Sequence, residues 1–291
     1  GEHAQPQGAT ASPVNLIDLT LQQIAFGWDT EELSVIIKPM VVNGAEAIGS
    51  MGDDTPLAIL SKRPKLLYTY FKQLFAQVTN PAIDSIRERV VMSLATSVGH
   101  RRSWLKESPD HARLIRINSP FLLDYELATL RSGTGNDFEA EEIACHFSLN
   151  AGVTDLDTAL DRICQQASKA VDSGKAVMIL SDRGMDADQV PIPMLLAVGA
   201  IHHHLIREGK RLKASIVCET GEARDVHQFA CLVGFGASAV NPYVAIDTVR
   251  HWIEDGELDD DLTLDKALAN YRISIENGML KIMAKMGIST M

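Results

Sequence analysis

Two different apolar rhythms divide this chain. Within residues 49–94, Leu67, Tyr70, Phe71, Leu74, Phe75 and Val78 fall three and four apart. They follow Pro64, which suits the first turn of a helix, so the spacing predicts an amphipathic helix there. Pro81 biases Asn80 toward extended geometry and should stop that helix at TNPAID. Ile83, Ile86, Val90 and Leu94 then predict a second helix, with Arg87 and Glu88 off its apolar face and available to a partner. The block reads as a helix-loop-helix whose polar loops, GSMGDD and VTNPAID, form a surface for other domains to dock against. Upstream, residues 16–42 also carry a helical pattern, with Asp29 or Thr30 as the cap before Glu31 and Glu32. Pro39 should end that helix, and Asn43-Gly44 should turn the chain.

After SGTGND (132–137), a Gly- and Ser-rich linker, the rhythm changes to short apolar runs alternating with helical stretches. IACHFSL (143–149), AVMILS (176–181), ASIVCE (214–219) and GASAVN (236–241) read as strands. Helices are expected at 154–172, 192–208, 223–233, 244–254 and 263–286, with Gly174 and Gly209 as stops. Asp124 should cap a shorter helix ending near Arg131, and the basic stretch 99–118 should follow the surface irregularly. Strand–helix alternation with short connections implies parallel strands and right-handed crossovers. The fold class expected is therefore α/β, a partial (β/α) barrel-like parallel sheet with an N-terminal helical segment. The alternative is an open doubly wound sheet. The expected divisions are a flexible leader at 1–15, a helical interdomain segment at 16–131, a linker at 132–141 and the half-barrel-like part at 142–291.

Composition narrows the field only a little. At 291 residues the chain can bury a substantial core, and 46% hydrophobic with 22% charged residues is ordinary for a globular protein. A net charge of −11 argues against a nucleic-acid partner, because phosphate-binding surfaces are basic. No apolar run is long enough for a membrane span, and the first residues lack the layout of a signal peptide. Cys145, Cys164, Cys218 and Cys231 are scattered among apolar residues with no CxxC pair, so they read as buried reduced thiols rather than metal ligands.

Candidate chemistry collects where parallel strands end, since the working sites of such folds lie beyond their carboxyl ends. Those positions hold Ser148 and Asn150, Ser181-Asp182-Arg183, Glu219-Thr220 and Asn241-Pro242-Tyr243. Asp182, Arg183, Glu219 and Arg224 can build a charged pocket with His227 as acid or base; the plainer reading is that they pair with one another. His202-His203-His204 cannot converge on one ion, because successive helical side chains point about 100° apart. His227 and Cys231 share a helix face without a third ligand, GFGAS comes in the wrong order for a phosphate loop, and Asp53-Asp54 reads as a loop cap. No nucleophile elbow is present.

The string from Ile48 to Leu94 resembles the start of the central domain of glutamate synthase large chains, ferredoxin- or pyridine-nucleotide-dependent. ILSDR (179–183), VGAIHHHLI (198–206), CETGEARDVHQFACLVGFGASAVNPY (218–243) and GMLKIMAKMGIST (278–290) extend the resemblance over about 25–290. The leader, residues 99–118 and the linker near Gly133 depart from it. The resemblance implies a scaffold between an amidotransferase domain, which releases ammonia from glutamine, and a (β/α)8 domain. That second domain binds FMN and an iron–sulfur cluster and makes glutamate from ammonia and 2-oxoglutarate. It implies no cofactor in this domain, no activity for it alone, and electrons from ferredoxin or a pyridine-nucleotide-oxidising subunit. A cytoplasmic or plastid-stromal location follows. The methionine matching Met51 would reach the 2-oxoglutarate and flavin site. Thr79 and Asn80 would belong to the ammonia tunnel, and Asp84, Arg87 and Glu88 would lock this wall to its neighbours. The competing expectation is an independent (β/α)-type small-molecule enzyme, or a metabolite-binding module, using the strand-end cleft.

Overall fold

The computed structural model describes residues 16–49, 52–84, 86–103, 105–133, 138–149, 154–259 and 261–291. Met51, Asn150 and most of the expected SGTGND linker lie outside them.

Helix α1 (Leu16–Ala25) is followed by Gly27 at φ 68°, and a second helical stretch starts at Thr30, just after Asp29. The Asp29 carboxylate accepts the Glu32 N–H at 2.7 Å, the capping bond that the sequence predicts. Pro39 does not end this helix. Residues Glu32–Ile37 widen into a π-helix in which the Lys38 N–H reaches the Leu33 carbonyl, and α2 (Lys38–Asn43) carries Pro39 in its first turn. The wider turn accommodates a residue with no N–H and a bulky ring. The stop comes at Gly44, in the left-handed region at φ 64°, just where Asn43-Gly44 predicts a turn.

The helix-loop-helix expected in residues 64–94 does not form. It is replaced by a short 3-10 segment, Leu67–Phe71, and a single turn, α3 (Glu88–Val91), joined by extended and turning chain. An amphipathic stripe makes a helix only when it has a surface to pack on, and aromatic and β-branched residues add little helix propensity of their own. Here Tyr68 turns inward at 2% exposure, while Phe75, Val78, Ile86 and Val90 stay 66%, 97%, 86% and 85% exposed. The segment hangs instead on backbone bonds: Asp53 N–H to Leu74 O, Ile83 N–H to Ala284 O and Ser93 N–H to Ser289 O.

The described part of 99–118 is largely irregular, as expected, apart from a 3-10 turn at Pro109–Ala112 and a short strand. That strand, β2 (Ile115–Ile117), pairs antiparallel with β1 (Thr96–Val98), which precedes the stretch. Next comes α4 (Asp124–Ser132), in which Asp124 is the first helical residue rather than the cap. The Glu126 carboxylate instead accepts the Leu123 N–H at 2.7 Å.

The chain then alternates through β3 (Ala140–Ala144), β4 (His146–Ser148), α5 (Thr154–Asp172), β5 (Val177–Ser181), β6 (Gln189–Pro191) and α6 (Met194–Arg207). It continues through β7 (Ser215–Glu219), α7 (Val226–Gly234), β8 (Ala237–Asn241), α8 (Tyr243–Glu254) and α9 (Leu264–Met286). β3 opens inside the expected linker, and the single strand expected at 143–149 breaks at Cys145. Its second half, β4, leaves the sheet to pair antiparallel with β6.

The main sheet is parallel throughout and ordered β3-β5-β7-β8. Each new strand joins the same edge, as in half of a (β/α)8 barrel; a doubly wound sheet would reverse direction. Residues 120–122 cover the outer edge of β8, with Val240 N–H donating to Pro120 O at 2.7 Å and Leu122 N–H to Val240 O at 2.9 Å. Along β5, β7 and β8 both faces of the sheet are buried, which explains their continuous apolar runs, whereas the edge strand β3 is mostly exposed. Met178, Leu180, Ile216, Cys218 and Val240 belong to the large core shared with the helices. Val177, Ile179, Val217 and Ala239 pack with Val98, Leu122, Leu127 and Leu130. The face that a closed barrel would turn toward its other four strands is thus covered by β1–β2 and α4.

Candidate functional site

The last residues of the strands bring charge to the carboxyl edge of the sheet. Ser181, Glu219 and Asn241 stand side by side in register. Glu219 is 2% exposed and holds three donors: the Ser181 hydroxyl at 2.6 Å, Arg131 Nη2 at 2.7 Å and Arg183 Nε at 2.7 Å. Arg131 comes from α4 and also bonds Glu142 of β3 at 2.7 Å. The Arg183 guanidinium lies 3.9 Å from the centre of the Tyr243 ring. A buried carboxylate is tolerated only with such pairing, and here it takes two arginines and a hydroxyl. Water reaches the outer parts of Arg131 and Arg183, whose side chains are 39% and 41% exposed.

Asp182 is wholly buried. It accepts the Thr220 hydroxyl at 2.5 Å and the Gly221 N–H at 3.0 Å. Burial nevertheless pushes its pKa up to about 8, with Glu222 adding to the effect. Glu222 takes the Tyr68 hydroxyl at 2.9 Å and the Met194 N–H at 3.0 Å, and burial raises its pKa as well.

Arg224 and His227 do not join this cluster. Arg224, 1% exposed, donates to the carbonyls of Phe26 (3.2 Å) and Gly27 (2.9 Å) and to the Glu32 carboxylate (2.7 Å), and its guanidinium lies 5.1 Å from the Trp28 ring centre. His227 Nε2 lies 2.9 Å from the Tyr68 carbonyl, and Cys231 Sγ is 3.7 Å from it. Both residues clamp the N-terminal segment onto α7. The five residues grouped by sequence are therefore two sets: Asp182, Arg183 and Glu219 at the strand ends, Arg224 and His227 at the junction with residues 26–71. Arg131, Tyr68 and Glu222 were missed; each joins elements far apart in the chain, and no local spacing announces them.

The other candidates are placed plainly. His202 and His203 sit edge to face at 5.2 Å, while His204 turns to Glu208 at 3.3 Å. Among the described residues no group of three His, Cys, Asp or Glu side chains is placed to hold a metal ion. All four thiols are free, with burial pushing Cys231 up to about 11 and Cys145 and Cys218 further. Asp53 is held below the usual carboxylate range by its hydrogen bonds to Thr55. Thr79 and Asn80 are exposed. Asp84 accepts the Ile86 and Arg87 N–H groups at 3.0 Å each and pairs with Arg87 at 3.4 Å. Glu88 borders a cleft of about 570 Å³ between residues 81–92 and α9.

The family model of the glutamate synthase central domain matches residues 21–291. The chain belongs to that family. The central domain is 46% identical over 281 residues to the ferredoxin-dependent glutamate synthase 2 of Synechocystis sp., covering 92% of this chain and 18% of that protein. It is 44% identical over 273 residues to the glutamate synthase [NADPH] large chain of Bacillus subtilis, covering 94% of this chain and 18% of that protein. Against the ferredoxin-dependent glutamate synthase of Pyropia yezoensis the figures are 42% over 291 residues, 95% and 18%. The central domain therefore spans under a fifth of the length of these curated relatives. Among solved structures, a mandelate oxidase variant with 2-hydroxy-phenylacetamide aligns at TM-score 0.34 and 11% identity, covering 72% of this chain and 88% of that one. A flavocytochrome b2 mutant with benzoylformate aligns at TM-score 0.36 and 12% identity, covering 44% and 30%. Likenesses of that size carry no argument. Among the described residues no helix of the central domain is long and apolar enough to cross a membrane.

Proposed function

We propose that this domain is the scaffold of a glutamate synthase, seating the amidotransferase and FMN-binding domains against each other and lending one wall to the ammonia passage between them. The observation that carries the reading is the outward display of residues 70–90. The block is fastened to the half-barrel by Tyr68, yet it presents Phe75, Val78, Ile86 and Val90 to the outside. Exposed apolar groups gathered in one block mark a docking surface. The partner argued from family membership is the remainder of the synthase.

In this reading Thr79 and Asn80 lie on the passage, Asp84, Arg87 and Glu88 brace it, and the role that the family resemblance assigns to Met51, outside the described residues, is at the edge of the 2-oxoglutarate and flavin site. FMN and the iron–sulfur cluster sit on the neighbouring domain, and this domain holds neither. Ferredoxin or a pyridine-nucleotide-oxidising subunit supplies electrons to the whole enzyme, in cytoplasm or plastid stroma. A sealed wall matters because ammonia that reaches water is protonated and loses its nucleophilic lone pair. An independent enzyme at the strand ends has less support: Glu219 and Asp182 are buried and occupied by neighbouring donors.

In the intact synthase, Thr79→Trp is expected to lower glutamine-dependent glutamate formation while leaving glutaminase turnover, assayed alone, near the parent rate. Equal loss of both activities would count against a tunnel role.

A further inference from the structure

At the opposite end of the sheet from Glu219, where β7 and β8 begin, lies a cleft of about 260 Å³. Arg101, Arg211, His202, Thr96, Ser215 and Ser238 line it. Arg211 is half-buried and donates three hydrogen bonds: Nε to His202 Nδ1 at 3.0 Å, Nη1 to the Ala214 carbonyl at 2.9 Å and Nη2 to the Gly236 carbonyl at 2.7 Å. All three acceptors are neutral. Gly236 is fitted to this arrangement: its φ is +119°, and a Cβ there would lie 2.3 Å from His202 Nδ1. Since His202 Nδ1 accepts, its ring is neutral with the proton on Nε2.

Among the described residues the side chains lining the cleft add positive charge, and none is acidic. Burial and Arg101 both lower the pKa of Arg211. Burial, Arg211 and His203 lower that of His202, and burial, Arg102 and Lys213 that of His100. Among the described residues no carboxylate pairs with Arg101, Arg102, Arg211 or Lys213, although the chain has 38 acidic residues to 27 basic ones. Guanidinium groups drawn out of water are ordinarily paired with an anion, because desolvating an unpaired charge is costly. In a chain of net charge −11, a basic cleft lined by no acidic side chain among the described residues is a local exception.

We propose that this cleft binds a small oxyanion, the phosphate or carboxylate of a metabolite, between Arg101 and the preset guanidinium of Arg211. The volume favours a compact ligand, lying below the roughly 300 Å³ at which drug-sized sites begin. Arg211, held from three sides, supplies a fixed positive wall. Arg101 is exposed and tethered by its backbone N–H to the Leu212 carbonyl at 2.8 Å, so it can close over the ligand. This assignment is independent of the scaffold role, since it concerns the other end of the half-barrel.

The test is isothermal titration of the intact synthase with inorganic phosphate at constant ionic strength, with chloride as the reference anion. Saturable binding is expected for phosphate and not for chloride. Arg101→Gln should weaken it about tenfold or more, the effect of losing one charge-assisted bond. Arg63→Gln, at an exposed site outside the cleft, should leave it unchanged. Absence of saturable binding in the intact enzyme, as when an acidic side chain of a neighbouring domain already fills the cleft, would overturn the proposal. So would equal affinities for the parent and Arg101→Gln.

Discussion

Tyr68 and Glu222, 154 positions apart in the chain, share a buried hydrogen bond of 2.9 Å that fastens the irregular N-terminal block to the turn after β7. The same block is gripped through its backbone, since the Tyr68 carbonyl meets His227. One aromatic residue thus joins the segment that displays the docking surface to the sheet that supports it.

Tyr68→Phe keeps the ring and removes only the donor. Glu222 retains the Met194 N–H but loses a partner at a buried position. A buried acceptor left short of a donor costs about 1–3 kcal/mol, which urea denaturation should resolve. Amide exchange should also quicken first in residues 53–74. An unchanged denaturation midpoint would show that the bond contributes nothing.

Asp182 makes stability depend on pH in an unusual direction. Its folded pKa, about 8, lies above the ordinary 3.8, so the folded protein holds a proton that the unfolded chain releases. The stability this contributes is fully present below pH 3.8 and is lost as pH rises toward 8. The slope from this one group is at most about 1.4 kcal/mol per pH unit. Asp182→Asn keeps an acceptor for the Gly221 N–H and cannot ionise, so its denaturation midpoint should vary less between pH 5 and 8 than that of the parent. Parallel pH profiles would assign the slope to other groups.

Two glycines separate helix propensity from packing. Gly278, inside α9, faces Val226 of α7, and a Cβ would lie 2.4 Å from Val226 Cγ2. Alanine there gains about 1 kcal/mol of propensity but forces an overpacked contact costing about 1–3 kcal/mol. Gly234, at the end of α7, has nothing within 4 Å of its Cβ position. Thermal melts should show Gly278→Ala lower than the parent and Gly234→Ala equal or higher; the reverse order would refute the packing argument.

The second half of the chain was largely legible from its residues. AVMILS and ASIVCE become β5 and β7 because a strand buried on both faces has to be apolar throughout, and Gly209 ends α6 at φ 67°. The first half was less so. Three-and-four spacing in residues 64–94 describes a stripe, and a stripe does not say whether a surface exists for it to cover. Likewise His146–Ser148 has the composition of a sheet strand, but its partner is Gln189–Pro191, a pairing no local pattern encodes.

Alone, the sequence determined the strand–helix alternation, several helix stops and caps, and membership of a family, because these rest on neighbours within a few residues. Tertiary structure decided which charges meet. It gave Glu219 to Arg131 and Arg183, turned Arg224 toward Phe26 and Gly27, and left Arg211 among neutral acceptors. The reason is range: capping and periodicity act over one or two turns, whereas desolvation and charge pairing depend on groups that only the folded chain brings within a few ångströms.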